Sequence, residues 1–194
     1  ATAIISFLTS IYQIQEANVF ETIQKWGIDG VYEPRAEINL ETNELLKHTN
    51  VLEICAMGLS NFRDAQSDLV KKRISKGMVL KILTLDPNSP FLKDIDKAEN
   101  RPEGYTKQSI EQLFVWLAEL TPLQKYADQI EVRTYNHYPH DFFYCMDGLV
   151  YTGPYLTKAS QQTITYKFLG KSKGAAYYKA HFDKLWCDAC KQEI

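Results

Sequence analysis

Apolar positions along the chain follow two periods, and the switches between them set the expected elements. Between residues 4 and 26, Ile4, Ile5, Leu8, Ile11, Val19, Ile23 and Trp26 recur mostly at threes, fours and sevens, a helical spacing that Gly27 ends. Residues 31–35 read as a short strand that Pro34 closes or leaves at an edge, and residues 40–47 as a short helix. Two near-continuous apolar runs follow, VLEICAMG at 51–58 and MVLKILTL at 78–85, with a polar turn, a helical stretch at 65–76 and Gly77 between them. Such runs around one helix predict a βαβ unit with parallel strands.

Residues 93–104 are charged and lack periodicity, which predicts an exposed excursion placed to cover a site. Ile110, Leu113, Phe114, Leu117 and Leu120 then mark an amphipathic helix ended by Thr121-Pro122. Three apolar runs come next: a strand at 130–135, and a strand, a tight turn at Gly148 and a second strand between 141 and 152. Residues 163–168 alternate as a half-buried strand does. After a basic turn at 170–174, Tyr178, Phe182, Leu185 and Ala189 form one stripe of a closing helix, with Trp186 beside them. The expected fold is a single α/β domain with a mixed central sheet and helices on both faces, residues 27–194, preceded by a linker or dimerisation helix at 1–26.

Composition supports one packed domain. A chain of 194 residues buries about two thirds of its unfolded surface, and 45% apolar with 12% aromatic residues excludes disorder. A net charge of −2 exerts no global pull on nucleic acid or anionic lipid, so any phosphate binding has to come from a local patch. Cys55 and Cys145 sit in apolar runs as small hydrophobes, and Cys187 and Cys190 form a lone CxxC without further ligands to complete a zinc site. The expectation is reduced thiols in a cytoplasmic setting, with no metal and no cofactor. The chain opens on Ala1 without Met, so the expectation is an excised piece with an upstream membrane or DNA-binding segment.

Candidate chemistry follows from position. Ligands of open α/β sheets bind beyond the carboxyl ends of parallel strands, which directs attention to GLSNFR at 58–63 and DPNSP at 86–90. The first offers Ser60, Asn61 and Arg63 near a helix N-terminus, where an anion is favoured. The second offers Asp86, Asn88 and Ser89. Arg101 has the fork of donors that suits a phosphate. The densest group of chemical residues is His137, His140, Asp141 and Asp147.

The stretch HDFFYCMDGLVYTGPYL resembles the phospholipase D superfamily, whose motif is His, one residue, Lys, four residues and Asp, followed by Gly, a strand and a Gly-Ser loop. Here His140, Asp147 and Gly148 match, Phe142 stands where Lys belongs, and Gly153-Pro154 replaces Gly-Ser. The likeness spans about residues 27–186 and is closest to the uncharacterised bacterial domains often fused to helix-turn-helix or membrane segments. In active members one His attacks phosphorus, a second protonates the leaving group, and Lys holds the phosphate oxygens; single-motif members assemble the pair across a dimer two-fold. The resemblance thus implies His140 as the nucleophile of any surviving reaction, a homodimer, and Arg35, Arg63 or Arg133 as substitutes for the Lys, with Ser160 the nearest hydroxyl beyond the Gly-Pro loop. With the Lys and the loop hydroxyl both gone, the expected function is a sensor domain. It binds a phosphate-bearing small molecule or nucleotide, in preference to nucleic acid, through Arg35, Ser60, Asn61, Arg63, Asp86, Asn88, Ser89, Arg133, Asp147 and Ser160. A phosphodiesterase, nuclease or phospholipase, and a ligand-free dimerisation module are the alternatives.

Overall fold

The computed structural model describes residues 13, 16–155 and 162–193. Residues 16–26 are helical (α1), and the rest of the helix expected at 4–26 lies outside the described residues. Gly27 ends α1 at φ +68, its N–H donating to the Ile23 carbonyl at 2.8 Å. A Cβ there would meet Ser172 Cβ at 2.2 Å, so the left-handed turn and the close approach both call for glycine.

One eight-stranded sheet organises the chain, in the order β1 (Ile28–Tyr32), β7 (Thr165–Phe168), β6 (Leu149–Pro154), β5 (Asp141–Met146), β2 (Val51–Cys55), β3 (Val79–Leu85), β4 (Ile130–Tyr135) and β8 (Cys190–Lys191). β2, β3 and β4 are parallel, with Val51 opposite Val79 and Leu80 opposite Ile130. β5 runs antiparallel to β2, so its first residue lies at the carboxyl edge of the parallel strands. The parallel pair predicted from the two apolar runs is present, and the sheet is mixed as expected.

Strand alternation sends side chains to two cores. On one face Leu52, Ile54, Leu80, Ile82, Val132 and Met146 pack under α2 (Asn39–Leu46), α3 (Ser60–Ile74) and α5 (Tyr105–Leu120). On the other, Leu83, Leu85, Phe143, Cys145 and Phe168 pack under α4 (Leu92–Ala98) and α6 (Lys173–Asp188), where Phe182 stacks on Phe143 with ring centroids 4.8 Å apart. The stripe read from the closing helix is therefore core.

Three local expectations need correction. SNFR, taken as turn, is the first turn of α3, because Gly58 (φ +62) and Leu59 (φ 54) complete the reversal within two left-handed residues. The charged stretch at 93–104 contains α4: Leu92 and Ile95 anchor it in the core, and buried Asp96 accepts from the N–H groups of Gly104 and Thr106. The CxxC region is not all helix, since Cys190 and Lys191 leave α6 to pair with β4 as β8. All four thiols are free, and burial pushes Cys55 up to about 12 and Cys145 up to about 11. Among the described residues no helix is long and apolar enough to cross a membrane, and no group of three His, Cys, Asp or Glu is placed to hold a metal.

Candidate functional site

The carboxyl edge of β2 opens onto a cleft made of two joined cavities. The inner one, about 80 Å³, lies between α2, α3 and β5 and is lined in part by Arg35, Asn39, Asn61, Gln66 and Tyr144. The outer one, about 330 Å³, is bounded by the β2–α3 connection, with Ser60 and Asn61, and by Arg101, Tyr105 and Tyr144. Asn61, Phe62 and Tyr144 belong to both. The outer space alone falls in the range of small-molecule sites, roughly 300–1,000 Å³.

Two features make this cleft suited to an anion. The first is the start of α3. Its N-cap position is Leu59, which has no side-chain acceptor, so the first-turn N–H groups are uncapped at the positive end of a fifteen-residue helix. The second is Arg35, which opens a 3-10 turn, Arg35–Ile38, after β1 and is fixed there by its N–H to the Thr163 carbonyl at 2.9 Å. Its half-buried guanidinium lies 4.3 Å from the centroid of the fully buried Phe142 ring and 5.9 Å from that of Tyr155. Among the described residues no carboxylate pairs with it. Tyr155 is half-buried against Phe142 and Arg35, and desolvation raises its hydroxyl above the ordinary range.

The other predicted residues are placed as follows. Arg63 is turned away from the cleft, its Nε donating to the Gly58 carbonyl at 3.0 Å, so it holds the β2–α3 connection. Asp86, Asn88 and Ser89 close their own turn: Asn88 N–H donates to Asp86 Oδ1 at 2.7 Å and Ser89 N–H to the Asp86 carbonyl at 2.9 Å. None of the three lines either cavity. Arg133 is on the opposite face of the sheet, paired with Glu131 at 2.7 Å, donating to the Trp186 carbonyl at 2.7 Å and stacked 4.7 Å from the Trp186 ring. Ser160 lies outside the described residues.

The convergence expected of His140 and Asp147 does not occur. β5 separates them by its whole length, about 20 Å at the rise of a strand. His140 stands exposed at the carboxyl edge, its carbonyl accepting from Tyr155 N–H at 2.8 Å and its ring 6.1 Å from that of Tyr138. Asp147 stands at the amino edge, where its carboxylate accepts from Asn50 N–H at 3.0 Å and Val51 N–H at 2.9 Å and so fixes the start of β2. Asp147 (φ 50) and Gly148 (φ 93) form the two-residue hairpin turn, both left-handed as such a turn requires.

Sequence reasoning missed Gln66, Tyr105, Tyr144 and Tyr155. Gln66 was findable: it precedes Val70 and Ile74 at spacings of four, so it occupies the buried stripe of α3. Tyr144 gave no signal, since an aromatic in a strand reads as core, and neither did Tyr155, one residue past the end of β6. Arg101 does border the outer cavity, paired with Glu99 at 2.7 Å and stacked 4.6 Å from the Tyr105 ring.

The mixed eight-stranded sheet with helices on both faces has a phospholipase D-like fold, as a match to a solved structure shows. Nuc, a phospholipase D family member from Salmonella typhimurium, matches at a TM-score of 0.55 with 15% identity, over 85% of this chain and 99% of Nuc. The archaeal chromatin protein TrmBL2, whose structure shows a novel mode of DNA binding, matches at a TM-score of 0.51 with 14% identity, over 95% of this chain. The chain spans 64% of the length of TrmBL2. No family model matches the sequence, and no curated protein matches it. At these identities the likeness is one of fold.

Proposed function

We propose that the chain is a phosphate-recognising sensor or interaction domain. It binds a phosphate-bearing small molecule or nucleotide in the cleft between α2, α3 and β5, does not hydrolyse it efficiently, and signals to a fused or partner domain through its N-terminal helix. The observation that carries this proposal is the guanidinium of Arg35, held 4.3 Å over Phe142 with no carboxylate partner among the described residues, in a cleft shared with the uncapped start of α3. A fixed fork of charged donors and a set of unpaired N–H groups favour the same ligand, an oxyanion.

Hydrolysis asks for more than binding. His140 lines neither cavity, and the position of the motif Lys holds a buried phenyl ring. Loss of one fixed donor to a transition-state charge commonly costs on the order of 100- to 1,000-fold in rate. Homodimerisation through the N-terminal helix is part of the proposal, supported by Val19, Phe20 and Ile23, which α1 leaves 59%, 61% and 41% exposed.

The test pairs binding with turnover. Isothermal titration of inorganic phosphate and nucleoside monophosphates into the 194-residue chain is expected to show saturable binding. Assays with a chromogenic phosphodiester, DNA and phospholipid are expected to stay at background, with His140→Ala unchanged in both. Robust cleavage lost in His140→Ala would replace the sensor with a phosphodiesterase, a reading favoured by the exposed His140 ring at the carboxyl edge, where the same residue of a second copy can approach it. Absence of all binding would leave a dimerisation module.

A further inference from the structure

Helix α3 carries a carboxamide where its buried stripe calls for an aliphatic side chain. Gln66, Val70 and Ile74 are one helical face, and Gln66 is 5% exposed. Val70 and Ile74 enter the core, whereas Gln66 lines the inner cavity. Its Oε1 is buried without a hydrogen-bond partner. Buried acceptors are nearly always paired, and an unpaired one on a cavity wall calls for an occupant that donates. The walls beside it are aromatic: Phe62 and Tyr144 line the same space and pack on one another, tilted by 49° with ring centroids 6.1 Å apart.

We infer that the cleft takes a nucleobase whose edge enters the inner cavity, where the Gln66 carboxamide reads its hydrogen-bonding atoms. This rests on the phosphate reading above, and it names the ligand class as a nucleotide. A carboxamide presents an acceptor beside a donor, and every nucleobase presents the complementary pair of atoms on one of its edges. A sugar phosphate has no such planar edge, and inorganic phosphate has no ring to lay against Phe62 or Tyr144. Asn61, in the first turn of α3, lines both cavities, so a base whose edge is directed inward past Arg35 leaves its phosphate near the helix N-terminus.

The experiment compares the four common nucleoside monophosphates with ribose 5-phosphate and inorganic phosphate by titration calorimetry. It uses the 194-residue chain and its Gln66→Met variant, which nearly conserves volume and removes the carboxamide. At least one nucleotide is expected to bind the wild type more than about tenfold tighter than ribose 5-phosphate, and Gln66→Met to remove most of that difference, on the order of tenfold, while leaving ribose 5-phosphate affinity unchanged. Equal binding of nucleotides and ribose 5-phosphate would overturn the base pocket and leave the phosphate site standing; this comparison needs no variant. A nucleotide preference untouched by Gln66→Met in a folded variant would overturn the role of Gln66. Binding by none of the six ligands would overturn the pocket and the phosphate site together.

Discussion

The guanidinium of Arg35 lies 4.3 Å from the centre of the Phe142 ring, so a cation from a turn before α2 covers the strand position where the resembled motif carries its Lys. The ring is fully buried and the cation half-buried, which leaves the charge facing the cavity with the ring behind it. Arg35→Ala is expected to weaken binding of a phosphorylated ligand by roughly 10- to 100-fold, the effect of removing a charged hydrogen-bonding partner. Arg35→Lys should recover only part of this, because an ammonium keeps the charge without the planar stack. Titration calorimetry on both variants checks it, and unchanged affinity in Arg35→Ala would remove the central contact of the proposed site.

Asp147 is the motif residue with a structural assignment. Its carboxylate meets the N–H groups of Asn50 and Val51 across the amino edge of the sheet, far from the cleft. Asp147→Ala exchanges two charge-assisted hydrogen bonds at the start of a central strand for bonds to water and puts Ala at φ 50. A loss of about 1–3 kcal/mol in urea unfolding is expected, with ligand affinity unchanged. A variant of wild-type stability that had lost affinity would return Asp147 to the site.

The sheet was legible because its core strands, apart from the paired Glu53 and Lys81, are apolar on both faces. β2 and β3 read as continuous runs, and their parallel register followed from the helix between them. The site was legible by position alone: Ser60 and Asn61 were found because ligands gather at the carboxyl ends of parallel strands. The motif misled about Asp147, since spacing along a chain does not say which end of a strand a residue occupies. The seven positions from His140 to Asp147 are one strand length and therefore opposite edges. Arg133 misled for a related reason, as a strand Arg belongs to whichever face its register assigns, and that register exists only once β4 has paired with β3.

Lys167 gives the fold a pH dependence of known sign. It pairs with Asp29 and Glu41 beneath α2, with its Nζ 2.6 Å from Glu41 Oε1, while the Tyr32 hydroxyl donates to the same carboxylate at 3.0 Å. Burial alone would push the Glu41 carboxyl up, but the hydrogen bonds from Lys167 and Tyr32 outweigh it and hold the group below its usual range. Burial likewise disfavours the Lys167 ammonium, and Asp29 and Glu41 outweigh that to hold it above its usual range. Glu41 therefore stabilises the fold above its unfolded value, about 4.3, and that contribution is lost as pH falls through the lower folded value. The Lys167 contribution is present below about 10.4 and is lost as pH rises through the higher folded value. In Lys167→Met only hydrogen bonds such as that from Tyr32 remain to offset the burial of Glu41, so the acid side should flatten. Urea midpoints between pH 3 and 7 check it, and parallel curves for the two proteins would separate Lys167 from the acid limb.

Phe142→Lys asks whether restoring the motif restores chemistry. In the resembled family that Lys holds phosphate oxygens, but here the position is fully buried and its space is roofed by Arg35. The substitution sets an ammonium beside a guanidinium, removes the ring that Arg35 stacks on and separates the aromatic contacts to Tyr144 and Tyr155. A destabilisation of about 3–5 kcal/mol is expected, the range for an uncompensated buried charge. Adding Arg35→Ala should return part of it by relieving like-charge repulsion and opening space for the longer side chain. Turnover of a chromogenic phosphodiester should stay at background in both variants, because His140 still lies outside the cavity. Hydrolysis gained in the double variant and lost again with His140→Ala would show that the missing Lys was the sole barrier to catalysis, and that Arg35 occupies a catalytic position rather than a binding one.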